Sequence, residues 1–369
     1  VLAGEGPDVL ILDGLPMESY LDKGMLQDIR PVLDSLEGEL FSSVVEGFTE
    51  PDGAVYVMPM CIRVPLLAGE EDAVGQMEDL ESIADQAERL RADHPQGGIF
   101  GIHDPETMLR LFGMVSSPAW TGADGQMDPS AVTEFLRQVK RIYDAEQAGA
   151  VPEQVERQAA EAEEMASYGI DPVQSRMEVC NNVLDITLGH AMAAAGYVDG
   201  IQLCLDNVTS VLRLEEGLDY RVFNGQAPAP FLPAAMVGIS SRSGQQAEAE
   251  EFVRLIFARE AQEHIYEGYP VNRAAYEAHF AAYEENDSNG SMMLVMDDGT
   301  EQELFLYWPD QAERERFTGY VESLKTPVLT DVQLCELVYE TGRKVLEGEL
   351  SAEDGAAEIV KKASIYLAE

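Results

Sequence analysis

Five histidines and four cysteines are the residues best suited to metal or nucleophilic chemistry, and their spacing organises neither. His94, His103, His190, His264 and His279 form no His-Glu-x-x-His arrangement, so a helix-borne zinc centre is not indicated. Cys61, Cys180, Cys204 and Cys335 contain no Cys-x-x-Cys pair. Each sits among apolar neighbours, where a free buried thiol is the expected state, although an exported chain could join four cysteines in two disulfides. Gly238-Ile-Ser-Ser-Arg242 lacks the second glycine of a nucleophile elbow. Asp297-Asp-Gly-Thr-Glu301 lacks the alternating ligands and distal glutamate of a calcium loop. With 68 acidic residues, carboxylate pairs at the separation a glycosidase needs arise by chance and carry no weight. No catalytic set, metal or cofactor is therefore expected.

Recognition chemistry is better represented. Asp13 directly follows the apolar run Val9–Leu12, where a carboxylate could accept hydrogen bonds from hydroxyls or cap its own turn. Arg63 lies just past the Tyr56–Pro59 segment, and its guanidinium could fork onto a carboxylate or a pair of hydroxyls, or pair with one of the many surface acids. Trp120, Tyr197, Phe231 and Trp308 are the aromatic candidates. A sugar ring has an apolar C–H face and a polar edge, so a flat aromatic beside a carboxylate or arginine is a natural recognition pair. Trp120 and Trp308 are also large enough to be expected in a core.

A chain of 369 residues with 46% hydrophobic content is large enough for two domains of ordinary size. Its 24 basic and 68 acidic residues give a formal charge of −44, which repels phosphate backbones and anionic headgroups and argues against nucleic acid or direct bilayer binding. The plain reading of this acidity is solubility or adaptation to a salty exterior. No apolar run approaches the roughly 18 residues needed to span a bilayer.

Turn and periodicity signals place these residues. Pro7-Asp8 feeds a buried strand over Val9–Leu12, which predicts a helix over 16–26 with Gly24 near its end and, with it, a parallel α/β sheet. Pro51-Asp-Gly53 leads into a strand from Val55 to Leu67. Leu80 to Ala92 and an acidic stretch from Pro129 to Ala166 read as helices, the part from Glu153 to Met165 as an exposed one. Ala249, Phe252, Val253, Ile256 and Phe257 form one buried helical face, with Ser243 and Gln246 as its capping box. Met292–Met296 and Glu303–Tyr307 around Asp298-Gly299 predict a hairpin with a type I′ turn. Ser351 and Asp354 cap a last helix with Ala356, Ile359, Val360, Ala363 and Leu367 on its apolar face.

Read in order, Ala3-Gly-Glu-Gly-Pro-Asp8, Tyr20-Leu-Asp-Lys-Gly-Met-Leu26, Asp52 to Pro59, Phe231 to Ser240, Glu248-Ala-Glu-Glu-Phe252, Pro270-Val-Asn-Arg273 and the Gly348-Glu-Leu-Ser351 ending resemble the family-1, maltose-binding-like extracellular solute-binding proteins of ABC importers. The resemblance implies a two-lobed clamp of the type II periplasmic-binding-protein kind, with a first lobe from 1–64 and 228–285 and a second from 65–227 and 286–369. Crossings are expected near Met60 to Leu67, near Arg221 to Phe231 and after about Glu285. It implies a monomeric receptor outside the cell, periplasmic or anchored as a lipoprotein on a Gram-positive surface, that hands a small solute to a permease. Tyr197 follows Gly189-His-Ala-Met192, which resembles the family region ahead of a cleft aromatic, and Arg63 lies where the family chain passes the cleft. An oligosaccharide held by Tyr197, Arg63 and Asp13 is the expected ligand; a peptide or polyamine stays open because an anionic chain attracts cations, and a glycoside hydrolase or other carbohydrate-active enzyme, or a sensor subunit with the same clamp, are the alternative roles. Family members carry a strand, helix and strand ahead of the Gly-x-Gly-Pro-Asp turn, so the first lobe is expected to be incomplete here.

Overall fold

The computed structural model describes residues 6–15, 17–122, 125–283 and 288–367. Ala3 to Glu5 of the opening motif, Pro16, and the segment around Glu285 where a third crossing is expected lie outside them. Nine strands appear among the described residues: β1 (Val9–Ile11), β2 (Met58–Glu70), β3 (Ala193–Val198), β4 (Leu218–Val222), β5 (Pro230–Ile239), β6 (Tyr269–Pro270), β7 (Ser288–Val295), β8 (Glu301–Tyr307) and β9 (Thr326–Pro327).

The 13-residue strand β2 organises the molecule. Its first half pairs with β5, from Met58↔Val237 to Arg63↔Leu232, and with β6. Its second half pairs with β3, from Val64↔Val198 to Gly69↔Ala193, and with β4. The change of partner along β2 falls at Arg63–Val64. A second passage runs from β4 into β5. Beside it, β9 lies against Pro230 and Phe231 before the chain enters the Val332–Leu346 helix. The parallel sheet expected from the opening strand–helix unit is not what forms. Every described pair in the large sheet is antiparallel except β5 with β9, because successive returns along β2 reverse the chain direction.

Two hydrophobic cores flank this strand. Side chains alternate across a strand, so Leu66 and Ala68 join the first core while Leu67 joins the second. The first core gathers Leu12, Ile29, Val44, Ile62, Val237 and Phe257, and extends to Leu304 and Leu306 of the hairpin and Phe317 of the Gln311–Ser323 helix. The second is helical, built on Ile83, Phe112, Trp120, Phe135, Val338 and Ile359. The Leu80–Asp93 helix starts with a reciprocal cap between Asp79 and Ser82, and Ser351 caps the last helix through the Asp354 N–H.

Three local expectations fail for identifiable reasons. Phe252 is 52% exposed, leaving Ala249, Val253 and Phe257 as the buried face of the Gln246–Phe257 helix. Ser243 makes no cap; its hydroxyl donates to Asp8 instead and accepts from the Gln245 N–H. The hairpin turns through Asp297, Asp298 and Gly299 rather than a two-residue type I′ turn. Met296 N–H bonds the Thr300 carbonyl, Asp298 accepts from the Thr300 N–H, and Gly299 takes φ 80°.

Candidate functional site

The passage at Arg63 brings together two of the residues singled out from sequence. Tyr197 pairs with Pro65 across β2 and β3, and the Arg63 guanidinium lies over its ring, Cζ 5.3 Å from the centroid. The phenol oxygen accepts a 2.8 Å bond from Gln174 Nε2, and the ring is 5% exposed. Burial pushes the Tyr197 hydroxyl up to about 12, so it stays protonated. Arg63 Nε is buried without a partner, an unusual condition for a guanidinium N–H and one that a bound acceptor would relieve.

The backbone around Tyr197 depends on its neighbour. The Met177–Val179 segment crosses β3, with the Tyr197 N–H bonded to the Met177 carbonyl at 2.8 Å and Glu178 bridged to Tyr197. A Cβ at Gly196 would stand 2.5 Å from the Val179 nitrogen and 2.6 Å from the Met177 oxygen, so only glycine admits this crossing. The crossing delivers Glu178, whose pKa is raised by burial and then by the Asp199 charge, to the neighbourhood of Arg63. Cys61, on the same stretch of β2, is pushed up to about 11 by burial and is an unreactive thiol.

The remaining sequence candidates take other places. Asp13 spends its carboxylate on backbone, accepting the Ala235 N–H at 2.8 Å and the Met236 N–H at 2.9 Å. It thereby holds the irregular turn of β5 where Ala235 has φ 52°. Phe231 is fully buried against Phe48 in the first core, and Trp308 stacks on Tyr283 with centroids 3.6 Å apart. Trp120 is fully buried in the second core, its indole N–H donating to Gln226 Oε1 at 3.0 Å. Neither Trp120 nor Phe231 presents an open face; packing is their observed role. Gln174, Glu178 and Asp199 join Arg63 and Tyr197 from outside the residues singled out from sequence. Asp199 directly follows the strand that carries Tyr197, a position that could have flagged it; Gln174 and Glu178 arrive only through the tertiary crossing.

A cavity of about 570 Å³ adjoins this site through the 172–176 segment: Val173 lines it, and Gln174 is next in the chain. A second concavity of about 650 Å³ lies between Ser42–Glu46, Asp219–Asn224 and the Gln311–Ser323 helix. Its arginines are engaged, Arg316 with Asp219 and Arg221 with the Val74 and Gly75 carbonyls. No group of three or more metal-ligating side chains is found among the described residues.

No protein-family model and no curated protein matches the chain. Solved structures do. The sugar-binding protein MalE from Xanthomonas citri is 13% identical with a TM-score of 0.60, over 100% of this chain and 85% of its own. A family-1 extracellular solute-binding protein from Alicyclobacillus acidocaldarius is 15% identical at 0.56, over 100% and 86%. A Streptococcus pneumoniae solute-binding protein in complex with the blood group A-trisaccharide is 13% identical at 0.52, over 98% and 85%. The chain therefore has the two-lobed α/β fold of the extracellular solute-binding proteins, along essentially its whole described length.

Proposed function

We propose that this chain is the solute-capturing receptor of an ABC importer, taking a carbohydrate of oligosaccharide size between its lobes and presenting the closed form to a membrane permease. The observation that carries the reading is the position of the Arg63–Tyr197 pair, at the change of partner along β2, in a fold shared with sugar-binding proteins. Arg63 supplies N–H groups to ligand hydroxyls. Tyr197 is the platform that carries the guanidinium and, once Arg63 swings aside, offers a ring face to the sugar. Asp13 acts at one remove, fixing the β5 turn that borders the site.

Closure around the ligand needs only the adjacent passages to bend, and it shifts the population of closed molecules by no more than the ligand's preference for that form. The receptor works as a monomer outside the cell, in a periplasm or tethered by a lipid anchor, and binds without turnover. No helix among the described residues is long and apolar enough to cross a membrane, which agrees with a partner supplying the membrane path.

A thermal-shift panel of oligosaccharides, monosaccharides, peptides and polyamines tests the reading, because a ligand that binds only the native state raises Tm. Oligosaccharides are expected to give the largest shift, unaltered after incubation. A shift confined to peptides or polyamines would contradict the ligand class, and a sugar product lost on mutating one cleft acid would contradict binding without turnover.

A further inference from the structure

We infer that the cavity beside the lobe passage takes an apolar group, an aryl ring or a short alkyl chain, in preference to a sugar ring. This goes beyond the carbohydrate reading and does not depend on it. One wall is the Pro152–Ser167 helix, which is amphipathic yet has no buried residue. Its apolar stripe of Val155, Ala159, Ala162 and Met165 faces the cavity, where a core would ordinarily stand. Ile102, Pro105, Pro172 and Val173 supply the opposite wall. The volume of about 570 Å³ lies in the range of small-molecule sites.

Most of the polar groups on the lining are already engaged with the protein. Asp104 accepts from both the N–H and the hydroxyl of Thr107 at 2.7 Å, and Glu106 accepts from Arg110 at 3.0 Å. Gln158 donates to the Gly101 carbonyl at 2.6 Å, and Arg176 is paired with Asp185 and Asn182. Glu161 faces Arg157 at 3.8 Å, while His103 Nδ1, 3.8 Å from the buried Glu146 Oε1, is a buried lining atom left without a hydrogen-bond partner. No phenylalanine, tyrosine or tryptophan lines the space. A sugar here would find no phenyl, phenol or indole face to stack on and few free partners, and each hydroxyl left unpaired on burial is unfavourable. An apolar group needs neither and covers the exposed stripe.

The apolar group could arrive as a separate small molecule or as the apolar end of a glycoside lying on Arg63 and Tyr197; the chemistry in the cavity is the same. The test is fluorescence titration of the full chain with N-phenyl-1-naphthylamine, a neutral apolar probe not repelled by the acidic surface. Saturable binding is expected in the wild type. Binding is expected to weaken at least tenfold in Ala162→Trp, whose side chain fills the space without lowering Tm, and severalfold in Met165→Gln, which keeps the helix and makes the wall polar. Tyr197→Ala is expected to retain the probe whether or not any sugar binds, so failure of the carbohydrate reading leaves this result separate. Displacement of the probe by phenyl β-D-glucopyranoside but not by phenol assigns the glycoside source, and displacement by phenol alone assigns a separate molecule. Non-saturable binding, equal affinity in wild type, Ala162→Trp and Met165→Gln, or displacement by methyl β-D-glucopyranoside as effective as by the phenyl compounds would overturn the inference.

Discussion

Trp120 and Tyr197 are both large aromatics with a polar tip, and the structure surrounds them differently. Trp120 lies edge-on to Phe135 at 4.7 Å and to Tyr339 at 6.2 Å, and its N–H is satisfied by Gln226. Gln226 is itself held by the Ala131 carbonyl and the Ser116 hydroxyl. Tyr197 lies under a guanidinium whose Nε has no partner, and its hydroxyl is held by the exposed Gln174. An aromatic whose neighbours are all satisfied stabilises the fold. One whose neighbours retain unused hydrogen-bonding capacity can do something for a ligand.

The largest effect expected from this contrast is on stability. Trp120→Ala should cost about 3–5 kcal/mol in chemical denaturation, as for other large-to-small core changes, and leave ligand affinity of the folded protein unchanged. A loss of affinity without a loss of stability would break the comparison. Glu146 is the exception inside the second core's surroundings. It is fully buried, accepts the Ile99 and Phe100 N–H groups through Oε2, and has no partner for Oε1. Burial pushes its pKa up to about 7 from 4.5. Between those values the folded chain holds a proton that the unfolded chain has released, so stability falls as pH rises through that window and stays lower above it. At 1.36 kcal/mol per unit the loss reaches up to about 3 kcal/mol. Glu146→Gln should be more stable than wild type by up to that amount at about pH 8, with the gap closing below about pH 4.5. A gap that widens on acidification would reverse the sign and refute it.

Gly196→Ala should cost about 1–3 kcal/mol, the usual range for forcing a methyl into packed surroundings. It should also weaken ligand binding, because it pushes the Met177–Val179 crossing off β3; stability loss with full affinity would detach that crossing from the site. The smallest effect belongs to Arg157, which joins Asp297 and His190 in a partly exposed cluster. Arg157→Ala should cost less than about 1 kcal/mol and less still at high salt, measured by thermal denaturation.

Much of the architecture was legible because it is local. The strand expected from Val55 and observed from Met58, the exposed helix after Pro152, the Asp-Gly hairpin and the Ser351 cap all follow from periodicity and turn chemistry, and the ordered motifs carried the fold class. Strand direction was not legible, since β2 pairs with segments more than a hundred residues away in sequence. Residue type and position single out Arg63, Tyr197 and Trp120 alike, but the difference between Tyr197 and Trp120 lies in which neighbours remain unsatisfied, and that is a property of tertiary packing. The same holds for Glu178 and Gln174, delivered by a crossing that the sequence marks only by Gly196.

The most direct test of the account is calorimetry with the oligosaccharide that gives the largest thermal shift, on wild type and Tyr197→Ala, with native-state content checked for both. Loss of the aromatic platform should weaken binding by about 1–3 kcal/mol, the nearest guide being aromatic platforms for nucleic-acid bases. Unchanged sugar affinity in folded Tyr197→Ala would contradict the proposal that the Arg63–Tyr197 passage is where this chain meets its ligand.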